Sequence, residues 1–108
     1  MLSMLALLMM MAEPNAFYVA TYVDVQLNST NDGGALIKQY RETARAEKGN
    51  SGVDVVQEIG RPYHFVIIEL WKDQASFEAH EKGGPTGQFR SKLVPLRTRF
   101  ASRSRRSG

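Results

Sequence analysis

A carboxylate, an indole and an imidazole lie close together in Glu69-Leu-Trp71-Lys-Asp-Gln-Ala-Ser-Phe77-Glu-Ala-His80. Glu69 and Trp71 are two apart, so on a strand they share a face. Phe77 and His80 are three apart, so on a helix they share a side. If the strand ends where the helix begins and the helix folds back on the sheet, Trp71, Phe77 and His80 wall a pocket. That pocket holds one titratable ring among apolar ones. It suits a flat aromatic molecule, with the imidazole placed to move a proton near neutral pH. Glu69 reads here as a strand-end acid pairing with Lys or Arg, and His64, beside the Pro62 turn, reads as solvated. His64 and Glu69 fall on opposite strand faces with no further ligand cluster, so no metal site is expected.

The elements that must position these residues follow from local pattern. Residues 17–25 are rich in β-branched and aromatic side chains and read as a strand. Residues 28–34 break the pattern and offer several helix caps. Residues 35–48 carry Leu36, Ile37, Tyr40 and Ala44 at helical spacing, with Lys38, Arg41, Glu42 and Arg45 outward, and Gly49-Asn50 closes the helix. Strands are expected over 52–59 and 63–71, joined through Gly60-Arg-Pro62. Asp73 caps a second helix running to about Lys82, and Gly83-Gly84-Pro85 breaks it. A last helix over 86–94 sets Phe89 and Leu93 on one side until Pro95, and 96–100 reads as a short fourth strand. The order is βαββαβ, an α+β, ferredoxin-like fold with an antiparallel sheet.

Alternation along 63–71 puts Phe65, Ile67, Glu69 and Trp71 on one face and Val66, Ile68 and Leu70 on the other. Both faces are largely apolar, and the helices of one copy shield only one. A homodimer burying the other face is therefore expected.

The totals agree with one domain in 108 residues, without cysteine and hence without disulfides or thiolate chemistry. The formal charge of +3 is unevenly placed. Nine Lys/Arg face eleven Asp/Glu in residues 1–96, and the remaining five arginines lie between positions 97 and 106. The folded part is taken as residues 16–100 and residues 101–108 as a basic disordered tail. With no basic patch on the body, nucleic-acid binding is not expected. Residues 1–15 are set apart as an apolar segment too short to span a bilayer. They lack the basic start and small-x-small site of an export signal. They read as sequence upstream of a start at Met11 or as the core of a signal, and the expected location is cytoplasmic, or exported in the second case. No phosphate-cradling glycine loop and no Gly-x-Ser-x-Gly elbow occurs.

The Glu-x-Trp ending at Trp71, the Asp73 to His80 spacing, Phe89, Gln39-Tyr-Arg41, Glu47-x-Gly-Asn50 and Gln57-Glu-x-Gly-Arg-Pro62 with His64-Phe65 together resemble the antibiotic biosynthesis monooxygenase (ABM) family. The resemblance spans about Tyr18 to Leu96. It implies a dimeric α+β barrel and a monooxygenase that oxidises quinols or phenolic compounds with O₂ and no cofactor. On that reading His80 is the general base and Trp71 the wall against which the ring packs. Tyr22, Tyr40 or His64 would donate to a phenolate oxygen, and Phe77 and Phe89 would complete substrate binding. The alternative is a non-catalytic dimeric module that holds an aromatic ligand or haem. This chain departs from the family in having Gly84-Pro85-Thr86 where many members carry a second histidine, and in its Arg-rich end.

Overall fold

A computed structural model describes residues 15–98 and, for the course of the backbone, 103–107. Three central elements follow the expected order: β1 (Phe17–Asp24), α1 (Thr30–Arg45) and β2 (Asn50–Gln57). They are followed by β3 (His64–Trp71), α2 (Gln74–Glu81), α3 (Gly84–Leu93) and β4 (Arg103–Ser107). Short 3₁₀ turns occupy Leu27–Ser29 and Val94–Leu96. The antiparallel sheet has the order β2-β3-β1-β4 and carries its helices on one face, as the ferredoxin-like reading expects.

The helix boundaries differ from the sequence reading for steric reasons. α1 starts at Thr30, not at 35, running straight through Asp32-Gly33-Gly34. The glycines serve close packing here, because a Cβ on Gly33 would come within 2.9 Å of Val25 Cγ1. The same helix stops at Arg45, and the chain turns at Gly49, whose φ of 89° lies in the left-handed region. α3 begins at Gly84, with Pro85 in its first turn, where the missing N–H forfeits no helical bond. Asp73 caps α2 as expected, accepting from the Ser76 N–H at 2.8 Å.

The fourth strand is a correction. The segment expected to form it makes a 3₁₀ turn at Val94–Leu96 and one isolated bridge between Arg97 and Val25. Residues 99–102 lie outside the described residues. β4 instead uses Arg103–Ser107, part of the segment read as a disordered tail, and pairs with β1 from Tyr18↔Ser107 to Tyr22↔Arg103. An edge strand is held by its backbone ladder and tolerates charged residues, so hydrophobicity gave no signal for it.

β3 carries the alternation read from its sequence. Phe65, Ile67, Glu69 and Trp71 face the helices and are buried. The main apolar cluster joins Val23, Val25, Ile37, Tyr40, Ala44, Val53, Phe65, Ile67 and Leu93. A smaller one joins Val19, Trp71 and Phe77. The opposite sheet face leaves Tyr18, Tyr22, Val56 and Ile68 exposed by 51%, 39%, 49% and 41%, a contiguous apolar surface without helical cover.

Candidate functional site

Between the two apolar clusters runs a line of buried polar side chains. Glu69 comes from the penultimate turn of the pleat in β3, two residues before Trp71, and is 3% exposed. Its Oε1 accepts from Trp71 Nε1 at 3.0 Å, and its Oε2 accepts from the Tyr40 hydroxyl at 2.9 Å. Tyr40 reaches it from α1, one helical turn before Ala44. The same hydroxyl lies 2.7 Å from His80 Nε2. His80, on α2 and 3% exposed, places its other ring nitrogen, Nδ1, 2.6 Å from Glu47 Oε2. Thr86 on α3 donates to the His80 carbonyl at 2.7 Å and sits 3.2 Å from Nδ1.

Aromatic packing fixes these groups. The Trp71 and His80 rings are 4.5 Å apart, centroid to centroid, and Tyr40 stacks on Phe89 at 4.3 Å. Phe77 lies 6.1 Å from His80 and 6.2 Å from Trp71. Burial raises the Glu69 pKa above the ordinary carboxylate value, outweighing the bonds from Tyr40 and Trp71 and the nearby imidazole, which act to lower it. Burial first, and then the Glu69 charge, drive the Tyr40 hydroxyl pKa far upward. Both shifts keep protons in the cluster.

Two hollows flank the line. The inner one lies between the sheet and α3, with about 820 Å³ of empty space including its open mouth. Glu69, Tyr40, Phe77, Thr86, Phe89 and Ile67 are among its walls, and Arg90 and Glu81, an ion pair, stand where it meets solvent. The outer hollow, about 450 Å³ counted the same way, lies against α1 and α3 and is lined by His80, Glu47, Gln39 and Lys92 among others. Tyr40, Thr86 and Phe89 line both and form the partition.

The structure thus brings His80, Trp71, Phe77, Tyr40 and Phe89 together and leaves two expected residues out. Tyr22 and His64 lie on the far face of the sheet, their rings 6.3 Å apart, and His64 Nδ1 is bound to Asp24. A strand's alternation sends neighbouring side chains to opposite faces, so they are remote from the Tyr40 hydroxyl. His64 is half-buried against Asp24 rather than solvated. Trp71 is fully buried and lines neither hollow, so it supports Glu69 and His80 from behind. His80 faces the outer hollow and meets the inner one through Tyr40, Thr86 and Glu69. Glu69, read as a strand-end acid paired with Lys or Arg, is instead a buried acceptor of Trp71 and Tyr40, with His80 Nε2 3.7 Å from its Oε1. Both His80 nitrogens are hydrogen-bonded, Nε2 to Tyr40 and Nδ1 to Glu47. Glu47 and Thr86 were missed as site residues. Among the described residues no group of three His, Asp or Glu is arranged to hold a metal, and no helix is long and apolar enough to cross a membrane.

Comparison with known proteins places this geometry in a family. The model of the antibiotic biosynthesis monooxygenase family matches residues 16–92. YcnE of Bacillus subtilis (strain 168), named as a monooxygenase, is 38% identical over 39 residues. That match covers 36% of this chain and 41% of YcnE, less than half the length of the relative. Among solved structures, SnoaB of Streptomyces nogalater, described as a cofactor-independent oxygenase, superposes with a TM-score of 0.77 at 13% identity. The superposition covers 87% of this chain and 92% of SnoaB. A Nitrosomonas europaea protein named for the same family gives 0.79 at 20% identity, over 85% and 96% of the two chains. At these identities the structural likeness speaks for the fold, and the family match spans most of the chain: this protein belongs to the antibiotic biosynthesis monooxygenase family.

Proposed function

We propose that the inner hollow binds an electron-rich phenol or quinol and that the protein oxidises it with O₂, using no resident cofactor. The observation that carries this reading is a buried Glu69–Tyr40–His80 line whose first two members open onto a cavity with Ile67, Phe77, Phe89 and Leu93 among its apolar walls and Glu81, Arg90 and Arg97 as its charged groups. The cavity is of the size that takes a small aromatic ligand. A phenol seated there meets the Tyr40 hydroxyl and the Glu69 carboxyl. His80 acts as the base through Tyr40, 2.7 Å away, and not by touching the substrate. Loss of the phenolic proton leaves an anion that the Tyr40 donor stabilises where the charge develops. That anion is electron-rich enough to pass an electron to O₂ directly. In the completed reaction a phenol and O₂ give a quinone and water. One oxygen atom enters the ring, the other leaves as water, and all four electrons come from the substrate. Phe77 and Phe89 supply the apolar walls.

The working form in this proposal is a homodimer, with Tyr18, Tyr22, Val56 and Ile68 of the uncovered sheet face packed on the same face of a second copy. Membership of the family, SnoaB's description and the missing helical cover support both parts. The test is O₂ uptake on a panel of hydroquinones with no added flavin, nicotinamide or metal, and ¹⁸O incorporation followed by mass spectrometry. Turnover in wild type and its loss in His80→Ala are expected. Wild-type protein that consumes no O₂ with any of the panel, or a His80→Ala variant as active as wild type, would end the assignment.

A further inference from the structure

The polar line does not stop at the histidine. From the inner cavity it runs Glu69, Tyr40, His80, Glu47 with successive heavy-atom separations of 2.9, 2.7 and 2.6 Å. Its first two members face the inner hollow, and its last two face the outer one. The line opens toward solvent at its outer end: the side chains of Glu69 and His80 are 4% and 2% exposed and that of Glu47 is 27%.

Proton counting sharpens the point. Three close contacts between these four groups need three hydrogens. A tyrosine hydroxyl and a neutral imidazole bring only two. The line therefore holds one more proton than a neutral imidazole beside two carboxylates. It is a chain in which each group can receive a proton on one side and release one on the other. Imidazole is suited to the middle position because its two nitrogens face opposite ways.

Glu47 is also held in place. It sits in the turn after α1, where its N–H bonds the Ala44 carbonyl at 3.1 Å and its own carbonyl accepts from Asn50 at the same distance. The next bend, at Gly49, needs a positive φ and has no room for a side chain, since a Cβ would lie 2.4 Å from Ser76 Oγ. The Lys72 N–H, following Trp71, pins the Gly49 carbonyl at 2.8 Å. The turn is thus tied to both β3 and α2, the elements that carry Glu69 and His80.

We infer that Glu47 is the outer terminus of a proton line. It takes up, by way of Tyr40 and His80, the proton removed from a phenol in the inner hollow, and exchanges it with solvent at the outer hollow. With the surplus proton on Glu69 and the imidazole hydrogen on Nδ1, Nε2 carries none: the substrate O–H breaks as the Tyr40 oxygen gains a hydrogen, the Tyr40 hydroxyl hydrogen turns from Glu69 and passes to His80 Nε2, and the Nδ1 proton passes to a Glu47 oxygen. One proton has moved from substrate to Glu47, and no electrons have moved. Reversal returns it when water is formed from O₂, which restores the starting tautomer. Charged groups facing the line or the hollows beside it are Glu81 on α2, Arg90 and Lys92 on α3, and Arg97 after the 3₁₀ turn at Val94–Leu96. Glu81 and Arg90 are paired with each other at the inner mouth, and Lys92 borders the outer hollow beside Glu47. Glu47 acts through His80 and is a positioning residue, not a catalytic one.

This inference rests on the proposed function for its substrate but is tested apart from it. In stopped flow, 4-nitrophenol, which is not readily oxidised, reports its own ionisation by absorbance, and a pH-indicator dye reports proton release. Glu47→Gln, checked for folding by circular dichroism, is expected to form phenolate but to release the proton at least about tenfold more slowly. Addition of formate, a small carboxylate that enters from solvent, is expected to restore the rate. In O₂ uptake the variant should lose kcat by about 10–100-fold, within the range that a positioned proton acceptor contributes, with KM unchanged and the rate now dependent on buffer concentration. The ¹⁵N resonance of His80 Nδ1 should shift while that of Nε2 stays. If wild type releases the proton from 4-nitrophenol faster than the variant yet oxidises no quinol, the line stands and the oxidation falls. Equal proton release in the two proteins, no ionisation in either, or a lowered rate that formate leaves unchanged overturns the line.

Discussion

Replacing Tyr40 by Phe removes a single oxygen while keeping the ring that stacks on Phe89 at 4.3 Å. That oxygen makes two contacts, 2.9 Å to Glu69 Oε2 and 2.7 Å to His80 Nε2, and both partners are 3% exposed. Water cannot easily replace it, so both partners lose a bond in the interior. Glu69 retains Trp71 Nε1, and His80 retains Glu47 and Thr86, so neither is wholly orphaned. A bond to a charged group contributes about 1.5–3 kcal/mol net, so partial loss at two sites gives about 2–4 kcal/mol. For a domain of this size that lowers Tm by at least about 10 °C. On quinol oxidation the same change removes the donor to the phenolate and the link to His80. It should cut kcat by about 10²–10³, as loss of one oxyanion donor does. Thermal unfolding followed by circular dichroism and oxygen-electrode kinetics measure the two effects. A Phe variant that melts within about 2 °C of wild type and turns over normally would mean that the hydroxyl neither ties the line together nor faces the substrate, and both steps of reasoning would fail.

Other outcomes follow from the same geometry. Burial, the largest influence on Glu69, raises its pKa above 4.5 in the folded state, so folding favours the protonated carboxyl. The unfolded chain then binds fewer protons between the two values, and the contribution of Glu69 to stability, complete below about pH 4.5, is lost as pH rises through the folded value. The urea midpoint of wild type minus that of Glu69→Gln should therefore fall as pH increases above 4.5; a flat or rising difference contradicts the assignment. On the uncovered sheet face, Ile68→Glu should convert a dimer to a monomer in analytical ultracentrifugation with the Tyr40–His80 site left intact, and a variant that sediments as wild type argues against that face as the interface.

How far the site could be read in advance depended on what carried the signal. Side-chain alternation along β3 gave the buried face, and the three-residue spacing of Phe77 and His80 gave the inward side of α2, because both are local geometry. Asp73 announced its helix for the same reason. The partner of Glu69 was misjudged because a carboxylate's neighbours are decided across the chain: Tyr40 is 29 residues away in sequence and His80 is 40 from Tyr40. Tyr22 and His64 are suggested by residue type alone; alternation along β3 already sets His64 opposite Glu69, and the register of β1 on β3, which pairs Tyr22 with Val66 and Asp24 with His64, puts Tyr22 on that same far face. Glu47 was visible as part of Glu47-x-Gly49-Asn50, yet its use depends on a turn fixed by Lys72 and Ser76. β4 had no apolar pattern because it is an edge.

Burying Glu69, Tyr40, His80 and Thr86 between two apolar clusters has a cost that a purely structural seam would avoid, and this yields a last test. Breaking a buried ionic or hydrogen-bonded set by removing one member leaves the others uncompensated and costs about 3–5 kcal/mol, whereas replacing the set with apolar residues of similar volume is often neutral or stabilising. Glu69→Met or His80→Leu alone should therefore destabilise strongly. Combining both with Tyr40→Phe leaves Trp71 Nε1 as the main unpaired buried donor, a loss of about 1–3 kcal/mol. The triple variant should then be markedly more stable than the sum of its single changes requires, with coupling beyond the few tenths of a kcal/mol expected of independent sites. It should also oxidise nothing. Urea unfolding of wild type, the three single variants and the triple variant decides the matter. If the three losses simply add, the side chains act separately and the hydrogen-bonded line is not a unit. If they fail to add, the three side chains act as one hydrogen-bonded unit, and a triple variant at least as stable as wild type would mean that the line is held in place of a more stable apolar seam.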